Sequence, residues 1–249
     1  MPGVGLAQQQ VEQPPGDQGE DQYGGQGHDG TQDVLHLHTL NLTATGPATP
    51  AFAVNGTMGG MNIVLFHSTY GLRPAVHAAA DRLRAAGHQV QVPDLFEGRT
   101  FATVEEGMAH QDEVGRDELL KRAVLAVAPY SDQGLVYAGF SYGGSVAQHL
   151  ALADDKARGL LLLHGTADLD EDASADELPV QLHVADPDPF EPHDWLTAWY
   201  LRMRRAGADV EVHTYPGAGH LFTDPDLDDY DAEAAEETWK VALGFLDSL

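Results

Sequence analysis

Residues 139–144, with the sequence GFSYGG, constrain the fold of this chain more than any other segment. The apolar run before them is typical of a buried strand, and residues 145–153 have the composition of a helix. A strand that turns directly into a helix leaves no space for side chains two residues before and after its central residue, so glycine is required there. The sequence therefore predicts a sharp turn that presents the Ser141 hydroxyl above the edge of a sheet.

The segment that begins at residue 61 alternates between strand-like and helix-like runs. This alternation predicts a mostly parallel sheet flanked by helices on both faces, because parallel strands need a crossover connection. Together with the turn at Ser141, it indicates the α/β-hydrolase fold. The predicted strands are 61–66, 88–92, 134–138, 159–163, 179–184 and 210–215, and the predicted helices are 74–87, 103–128 with a break near Gly115, 145–153, 193–205 and 230–248.

Residues 1–60 differ from the rest of the chain in composition, since they contain no Lys or Arg, eight Gln and twelve Gly. Such a stretch buries too little apolar surface to offset the entropy lost on ordering, so we interpret it as a low-complexity, disordered N-terminal extension. The hydrolase domain is then predicted to span residues 61–249. His36 and His38 in the extension have no further ligand at a supporting spacing, so no metal site is predicted from them.

Net charge and cysteine content narrow the possible partners and chemistry. With 39 acidic and 13 basic side chains, the formal net charge is −26, which repels nucleic acids and anionic membrane surfaces. This charge fits either simple solubility or adaptation to high salt. There is no cysteine, which excludes disulfides, a thiol nucleophile and thiolate metal ligands. No secretory signal pattern is present, so we expect a cytoplasmic protein. No metal or cofactor is predicted, and the oligomeric state is left open.

The turn at Ser141 needs two further side chains to become reactive. A serine hydroxyl is an effective nucleophile only beside a base, and the base needs an orienting carboxylate. In an α/β-hydrolase these groups follow the chain order Ser, acid, His. His220 lies in a glycine-rich loop between the last predicted strand and the last predicted helix, which is the expected place of the base. We therefore predict that His220 removes the Ser141 proton.

The acid is predicted to follow the penultimate strand, and two aspartates do so. Asp188 is preferred, because Asp186 lies close to the strand end and is suited to shaping the turn. Asp186 stays open as the alternative. Asp168 also follows a strand, but that strand comes one too early in the chain.

The oxyanion formed during acyl transfer needs two fixed N–H donors. The backbone N–H of Tyr142, directly after the nucleophile, is predicted to be one of them. The second is predicted to be the backbone N–H of Thr69, in the loop at 67–72 that follows the first strand.

Five segments together resemble the dienelactone hydrolase family of α/β-hydrolases. They are residues 67–72 (HSTYGL), 93–96 (PDLF), 139–144 (GFSYGG), 183–190 (HVADPDPF) and 215–220 (YPGAGH). The resemblance covers residues 61–249 and implies hydrolysis of a small ester or lactone. The family places its triad acid in a G-x-x-D-x-F-like segment, which favours Asp188. It also carries a substrate-binding arginine close to the position of Arg99, and we expect Arg99 and Tyr70 to contact the substrate.

The chain departs from the family at three positions. The family's namesake enzymes carry a nucleophilic cysteine where this chain has Ser141, a glutamate where it has Ser68, and a second substrate-binding arginine where it has Asp224. The first two changes fit each other, because a serine paired with histidine has no thiolate to control. The third argues against a dicarboxylate substrate, which Asp224 would repel.

The sequence therefore predicts a serine hydrolase that cleaves a small ester or lactone through an acyl-enzyme, with Ser141, His220 and Asp188 as its triad. A thioesterase or acyltransferase with the same triad is the nearest alternative. A non-catalytic small-molecule binding protein on the same scaffold is the alternative from another class. Labelling by a fluorophosphonate separates the enzymes from the binding protein, because an activated serine is needed for a fast reaction.

Overall fold

The structure, a computed structural model, describes residues 60–249 of the 249-residue chain. The extension predicted at residues 1–60 therefore lies outside the described residues except for Gly60, and so do His36 and His38. The domain boundary at residue 61 stays a prediction.

The described residues contain one sheet of six strands in which all neighbours are parallel. The strands are β1 (Asn62–Phe66), β2 (Gln89–Gln91), β3 (Leu135–Phe140), β4 (Gly159–Leu163), β5 (Pro179–Asp186) and β6 (Asp209–Pro216). Their order across the sheet is β2-β1-β3-β4-β5-β6. The predicted α/β-hydrolase fold is confirmed, and the sheet, expected to be mostly parallel, is entirely parallel in this part of the chain.

In the described part of the chain, six α-helices flank the sheet, and all but the last lie between strands in the chain. They are α1 (Pro74–Ala85), α2 (Val104–Val114), α3 (Arg116–Val127), α4 (Tyr142–Ala153), α5 (His193–Arg205) and α6 (Ala232–Ser248), with a 3₁₀ helix at Ala128–Gln133. Gly115 separates α2 from α3 with a φ of 86°, which glycine adopts without strain, so the break predicted near this residue is present. Asp231 is the N-cap of α6, and its carboxylate accepts hydrogen bonds from the N–H groups of Glu233 and Ala234. None of the helices between residues 60 and 249 is long and apolar enough to cross a membrane.

Alternating strand residues build two cores, one on each face of the sheet. In β1, Val64 and Phe66 face one side and Ile63 and Leu65 face the other, and all four are fully buried. Helices α3, α4 and α5 pack on the first face, whereas α1 and α6 pack on the second. Because both faces are covered, central strands have continuous apolar sequences such as GLLLL in β4.

The strand order reverses at β1, and this reversal places the site. The chain runs from β1 outward to β2 and then returns to β3 on the other side of β1. The crevice outside the carboxyl ends of such strands is where parallel α/β sheets bind ligands. The loop at 67–72 follows β1, Ser141 follows β3, Asp188 follows β5 and His220 follows β6, so all four lie at that edge.

Replacing Leu162 tests the core between the sheet and helices α3 to α5. Leu162 is fully buried in β4 and Leu162→Ala leaves a cavity, so we expect the free energy of unfolding to fall by about 2–5 kcal/mol. Chemical denaturation followed by circular dichroism measures the change. The control is Leu201→Ala on α5, where the side chain is 61% exposed and the expected change is within about 0.5 kcal/mol. Equal losses in both variants would contradict this packing.

Candidate active site

Ser141 lies at the sharp turn between β3 and α4, with a φ of 50° and a ψ of −113°. A non-glycine residue held at positive φ is strained by about 1–3 kcal/mol, and such strain persists where the surrounding structure fixes it. Here the Ser141 N–H donates to the carbonyl of Leu163 at 2.7 Å, and the Ser141 carbonyl accepts from the Gly144 N–H at 2.8 Å. These bonds hold the serine at the start of α4.

Glycines around Ser141 let three backbone segments approach one another closely. A Cβ on Gly143 would lie 2.5 Å from the carbonyl oxygen of Phe66 at the end of β1, and a Cβ on Gly139 would overlap Gly143 itself. On the other side, a Cβ on Gly165 would lie 2.5 Å from the carbonyl oxygen of Ser141. The ends of β1 and β4 therefore enclose the turn from both sides without space for a side chain.

The structure brings Ser141, His220 and Asp188 together. The Ser141 Oγ lies 2.8 Å from the His220 Nε2, and the His220 Nδ1 lies 2.8 Å and 3.0 Å from the two carboxylate oxygens of Asp188. Because an ionised carboxylate can only accept, the proton of the neutral imidazole belongs on Nδ1. Nε2 is then free to accept the Ser141 hydroxyl proton, which is the arrangement that general-base catalysis needs.

Of the three aspartates considered from the sequence, Asp188 is the one that contacts the His220 imidazole. Its side chain is fully buried and also accepts hydrogen bonds from the N–H groups of Phe190, at 2.9 Å, and Glu191, at 3.3 Å. Asp186 is exposed at the end of β5. Asp168 forms an ion pair with Arg202 instead.

The loop that carries His220 is held by a second aspartate and by an aromatic ring. A Cβ on Gly219 would lie 2.7 Å from the Asp229 carboxylate, which also accepts a hydrogen bond from the Leu221 N–H at 3.1 Å. The Phe190 ring lies 4.5 Å from the imidazole, centroid to centroid. His220 is only 7% exposed, so its ring is fixed by contacts on several sides.

The two predicted oxyanion donors are N–H groups without partners among residues 60–249. The Tyr142 N–H lies in the first turn of α4, where the helix dipole favours negative charge, and neither it nor the Thr69 N–H donates to a described residue. The Thr69 loop is supported by α2. The Gln111 side chain donates to the Thr69 hydroxyl at 3.0 Å, and a Cβ on Gly107 would overlap the Thr69 carbonyl oxygen.

A buried imidazole fixes the start of the same loop. The Leu95 N–H donates to the Nε2 of His67 at 3.1 Å, so the Nδ1 carries the proton and donates to the Ser68 carbonyl at 2.8 Å. Burial lowers the pKa of His67, so the ring stays neutral in this structural role. The sequence placed His67 in a family segment but indicated no role for it.

The predicted substrate contacts lie in two different environments. Tyr70 is partly buried, with the Arg73 guanidinium 5.2 Å above its ring, and Arg73 also lies 3.6 Å from the Asp224 carboxylate. The Arg99 side chain is 61% exposed, lies 3.9 Å from Glu113 and makes no hydrogen bond or ion pair with the triad. The contact of Tyr70 or Arg99 with a substrate stays a prediction.

A cleft of about 520 Å³ opens beside Tyr142, between α4 and helices α2, α3 and α5. Tyr142, Thr166 and Trp195 line it, and the Trp195 Nε1 donates to the Thr166 hydroxyl at 2.8 Å. Trp199 lies one helical turn after Trp195 on α5, but its side chain is fully buried in the core and does not line the cleft. A smaller cavity of about 180 Å³ lies between α1 and α6. Ser141, Asp188 and His220 line neither cavity, but Tyr142, the residue after Ser141, lines the larger cleft.

The cationic side chain of Arg116 lines the cleft and is hydrogen-bonded to a histidine of α4. The Arg116 guanidinium donates to the Nε2 of His149 at 2.7 Å, and the Nδ1 of His149 donates to the Ser145 carbonyl at 2.8 Å. Burial lowers the pKa of His149, which keeps the ring neutral and able to accept from Arg116. No sequence pattern predicted this pair, because its members are 33 residues apart.

His183, in β5, has structural partners on both of its ring nitrogens. His183 stacks on His213 with centroids 5.1 Å apart, and its two nitrogens pair with Tyr215 and Gln181. Burial lowers the pKa of His183 to about 3. Between residues 60 and 249, no group of three or more His, Asp or Glu side chains is arranged to hold a metal ion.

Gly165 offers a test of the close packing around Ser141. Gly165→Ala would place a methyl group against the Ser141 backbone, which has no room to move, so we expect the rate of Ser141 labelling by a fluorophosphonate to fall about 10–100-fold. The matched control is Gly244→Ala in α6, where an added Cβ meets nothing within 4 Å and labelling is expected to be unchanged. A folded Gly165→Ala protein that is labelled at the wild-type rate would contradict the expectation.

Known proteins share this architecture. A family model described as the dienelactone hydrolase family matches residues 51–249. Protein usf of Aquifex pyrophilus is 24% identical over 204 residues, which cover 75% of this chain and 87% of that protein. Among solved structures, the dienelactone hydrolase-like promiscuous phosphotriesterase P91 from metagenomic libraries has a TM-score of 0.67 at 22% identity, over 78% of this chain and 89% of that chain.

A second solved structure, m3DLH, has a TM-score of 0.66 at 24% identity, over 77% of this chain and 88% of that chain. At these identities the two structures establish a shared fold. The match of the family model extends over most of the sequence, from residue 51 to the last residue. The chain therefore belongs to the dienelactone hydrolase family.

Proposed function

We propose that this chain is a serine hydrolase that cleaves a small carboxylic ester or lactone through an acyl-enzyme. Membership of the dienelactone hydrolase family supports an ester or lactone hydrolase. The observation that carries the finer proposal is the hydrogen-bonded series from the Ser141 hydroxyl through the His220 imidazole to the buried Asp188 carboxylate.

In the first step, His220 accepts the Ser141 proton at Nε2 while the Ser141 oxygen attacks the carbonyl carbon of the substrate. The imidazole becomes an imidazolium, and the Asp188 carboxylate stabilises its charge through the Nδ1 proton. Asp188 is suited to this role because two backbone N–H groups already fix its orientation.

The carbonyl oxygen gains negative charge as the bond forms. In this proposal, the N–H groups of Tyr142 and Thr69 donate to it, which is supported by their lack of partners in the described part of the chain. Removing one such donor from a hydrolase typically lowers turnover by about 10²–10³.

The tetrahedral intermediate then collapses. His220 returns its proton to the leaving oxygen, which departs as an alcohol from an ester or stays attached to the acyl group when a lactone ring opens. A water molecule, deprotonated by His220, attacks the acyl carbon, and the second intermediate releases the acid and restores the Ser141 hydroxyl. The cleft lined by Tyr142 and Trp195 is the proposed binding place for the bulk of the substrate.

Ser141→Ala removes the proposed nucleophile. We expect hydrolysis of p-nitrophenyl acetate to fall by about 10³-fold or more and fluorophosphonate labelling to disappear, because no other serine is paired with the triad imidazole. The control is Ser131→Ala, on the exposed 3₁₀ helix, which is expected to keep both properties. Unchanged turnover in Ser141→Ala would remove this serine from its role, and absence of labelling in the wild-type protein would favour a non-catalytic binding protein.

Asp188→Asn tests which carboxylate orients His220. The amide presents the wrong donor to the imidazole and favours the wrong tautomer, so we expect kcat to fall by about 10³–10⁴. Asp186→Asn, two residues earlier and exposed, is the matched control and is expected to change kcat by less than about 2-fold. The opposite result would make Asp186 the acid. Acyl thioesters assayed beside esters separate a thioesterase, which would use the same triad.

A further inference from the structure

A second buried carboxylate lies three residues after Asp188. Glu191, in the loop between β5 and α5, is only 6% exposed. Its Oε1 accepts a hydrogen bond from the Thr166 N–H at 2.9 Å, and its Oε2 accepts one from the Thr166 hydroxyl at 2.7 Å. Its own N–H donates to the Asp188 carboxylate at 3.3 Å. Burial of a carboxylate away from any cation is costly, so a structural or functional gain must offset it.

The hydrogen-bond directions indicate that Glu191 is ionised. The Trp195 Nε1 can only donate, so the Thr166 hydroxyl accepts from it and directs its own proton to Glu191. Both carboxylate oxygens therefore face donors. Burial raises the pKa of Glu191 above its usual value, and the nearby Asp188 carboxylate also raises it. The two hydrogen bonds from Thr166 and the imidazole of His220 oppose this rise and favour the ionised form.

Thr166 belongs to the segment that supports the nucleophile. It follows Gly165, where an added Cβ would lie 2.5 Å from the carbonyl oxygen of Ser141. Its carbonyl accepts a hydrogen bond from the Ser145 hydroxyl in α4 at 2.7 Å. The Glu191 side chain therefore joins the loop that carries the triad acid to the segment on which the nucleophile rests.

We propose that Glu191 is a positioning residue whose carboxylate fastens the segment at Thr166 to the acid loop and whose negative charge helps Asp188 to stabilise the imidazolium of His220. This inference rests on the proposed function. A neutral side chain of the same shape could join the two segments, but it could not stabilise the positive charge on His220.

The other groups that face His220 come from every element packed around it. Ser141 approaches it from the turn after β3, and Asp229 holds the histidine loop through the Leu221 N–H. His164, at the end of β4, has its ring centroid 6.4 Å from that of His220. Burial lowers the pKa of His164 well below its usual value, so this ring brings no charge to the cluster.

The test is the pH dependence of kcat/KM for p-nitrophenyl acetate. Glu191→Gln keeps the shape but removes the charge, which makes protonation of His220 less favourable. We therefore expect the acid limb to move to lower pH by about 0.5–1 unit, with a plateau about 3–30-fold lower. Glu191→Asp keeps the charge, and its acid limb is expected to stay at the wild-type pH even if the plateau falls. Glu118→Gln, an exposed position on α3, is the charge-matched control and is expected to move neither.

Glu191→Met is made in parallel, so that a charge-free variant remains if Glu191→Gln does not fold. A lower melting temperature and plateau with an unmoved acid limb, in either charge-free variant, would assign Glu191 a purely structural role and overturn the inference. The same variants keep this separate from the proposed function. If fluorophosphonate does not label wild-type Ser141, the proposed function fails; if it does and the limb does not move, the inference about Glu191 alone fails.

Discussion

The rest of the site depends on the close approach of backbone segments around Ser141, where glycines leave no side chain between them. The ends of β1 and β4 press on the turn from opposite sides, and Gly143 and Gly165 make that possible because they carry no side chains. The strained φ of Ser141 is maintained by this packing rather than by the preference of serine. As a result, the Ser141 hydroxyl lies 2.8 Å from the His220 Nε2, and the Tyr142 N–H at the start of α4 donates to none of the residues from 60 to 249.

The two buried carboxylates near His220 have a different effect from the many acidic side chains of the chain as a whole. Over the whole chain the charge of −26 repels polyanions, but near the triad two carboxylates lie almost without exposure to water. In that environment a positive imidazole interacts more strongly with Asp188 than it would in water. The neighbouring imidazole of His164 is kept neutral by burial, so it does not compete with His220 for that charge.

Sequence reasoning succeeded where the signal is local. Alternating apolar runs predicted the strands and helices, and the break at Gly115 was visible because glycine ends a helix at positive φ. It placed Ser141, Asp188 and His220, which the fold brings together, because each follows a strand. The bond between Glu191 and Thr166 and the pair of Arg116 with His149 were not predictable, since their members are 25 and 33 residues apart and no spacing rule connects them. Arg99 was predicted from its position in the family pattern, and that position did not reveal that its side chain is exposed beside Glu113.

The pair of Arg73 and Asp224 has a consequence for how substrate preference could change. Both side chains are mostly shielded from water, and their charged groups lie 3.6 Å apart, next to the loop that carries His220. The family resemblance described above places a substrate-binding arginine where this chain has Asp224. An arginine introduced at position 224 alone would place a second guanidinium beside that of Arg73, with Asp226, 3.7 Å from Arg73, as the remaining carboxylate partner. Positions 73 and 224 are therefore coupled, and we expect a change of charge at position 224 to require a compensating change at position 73.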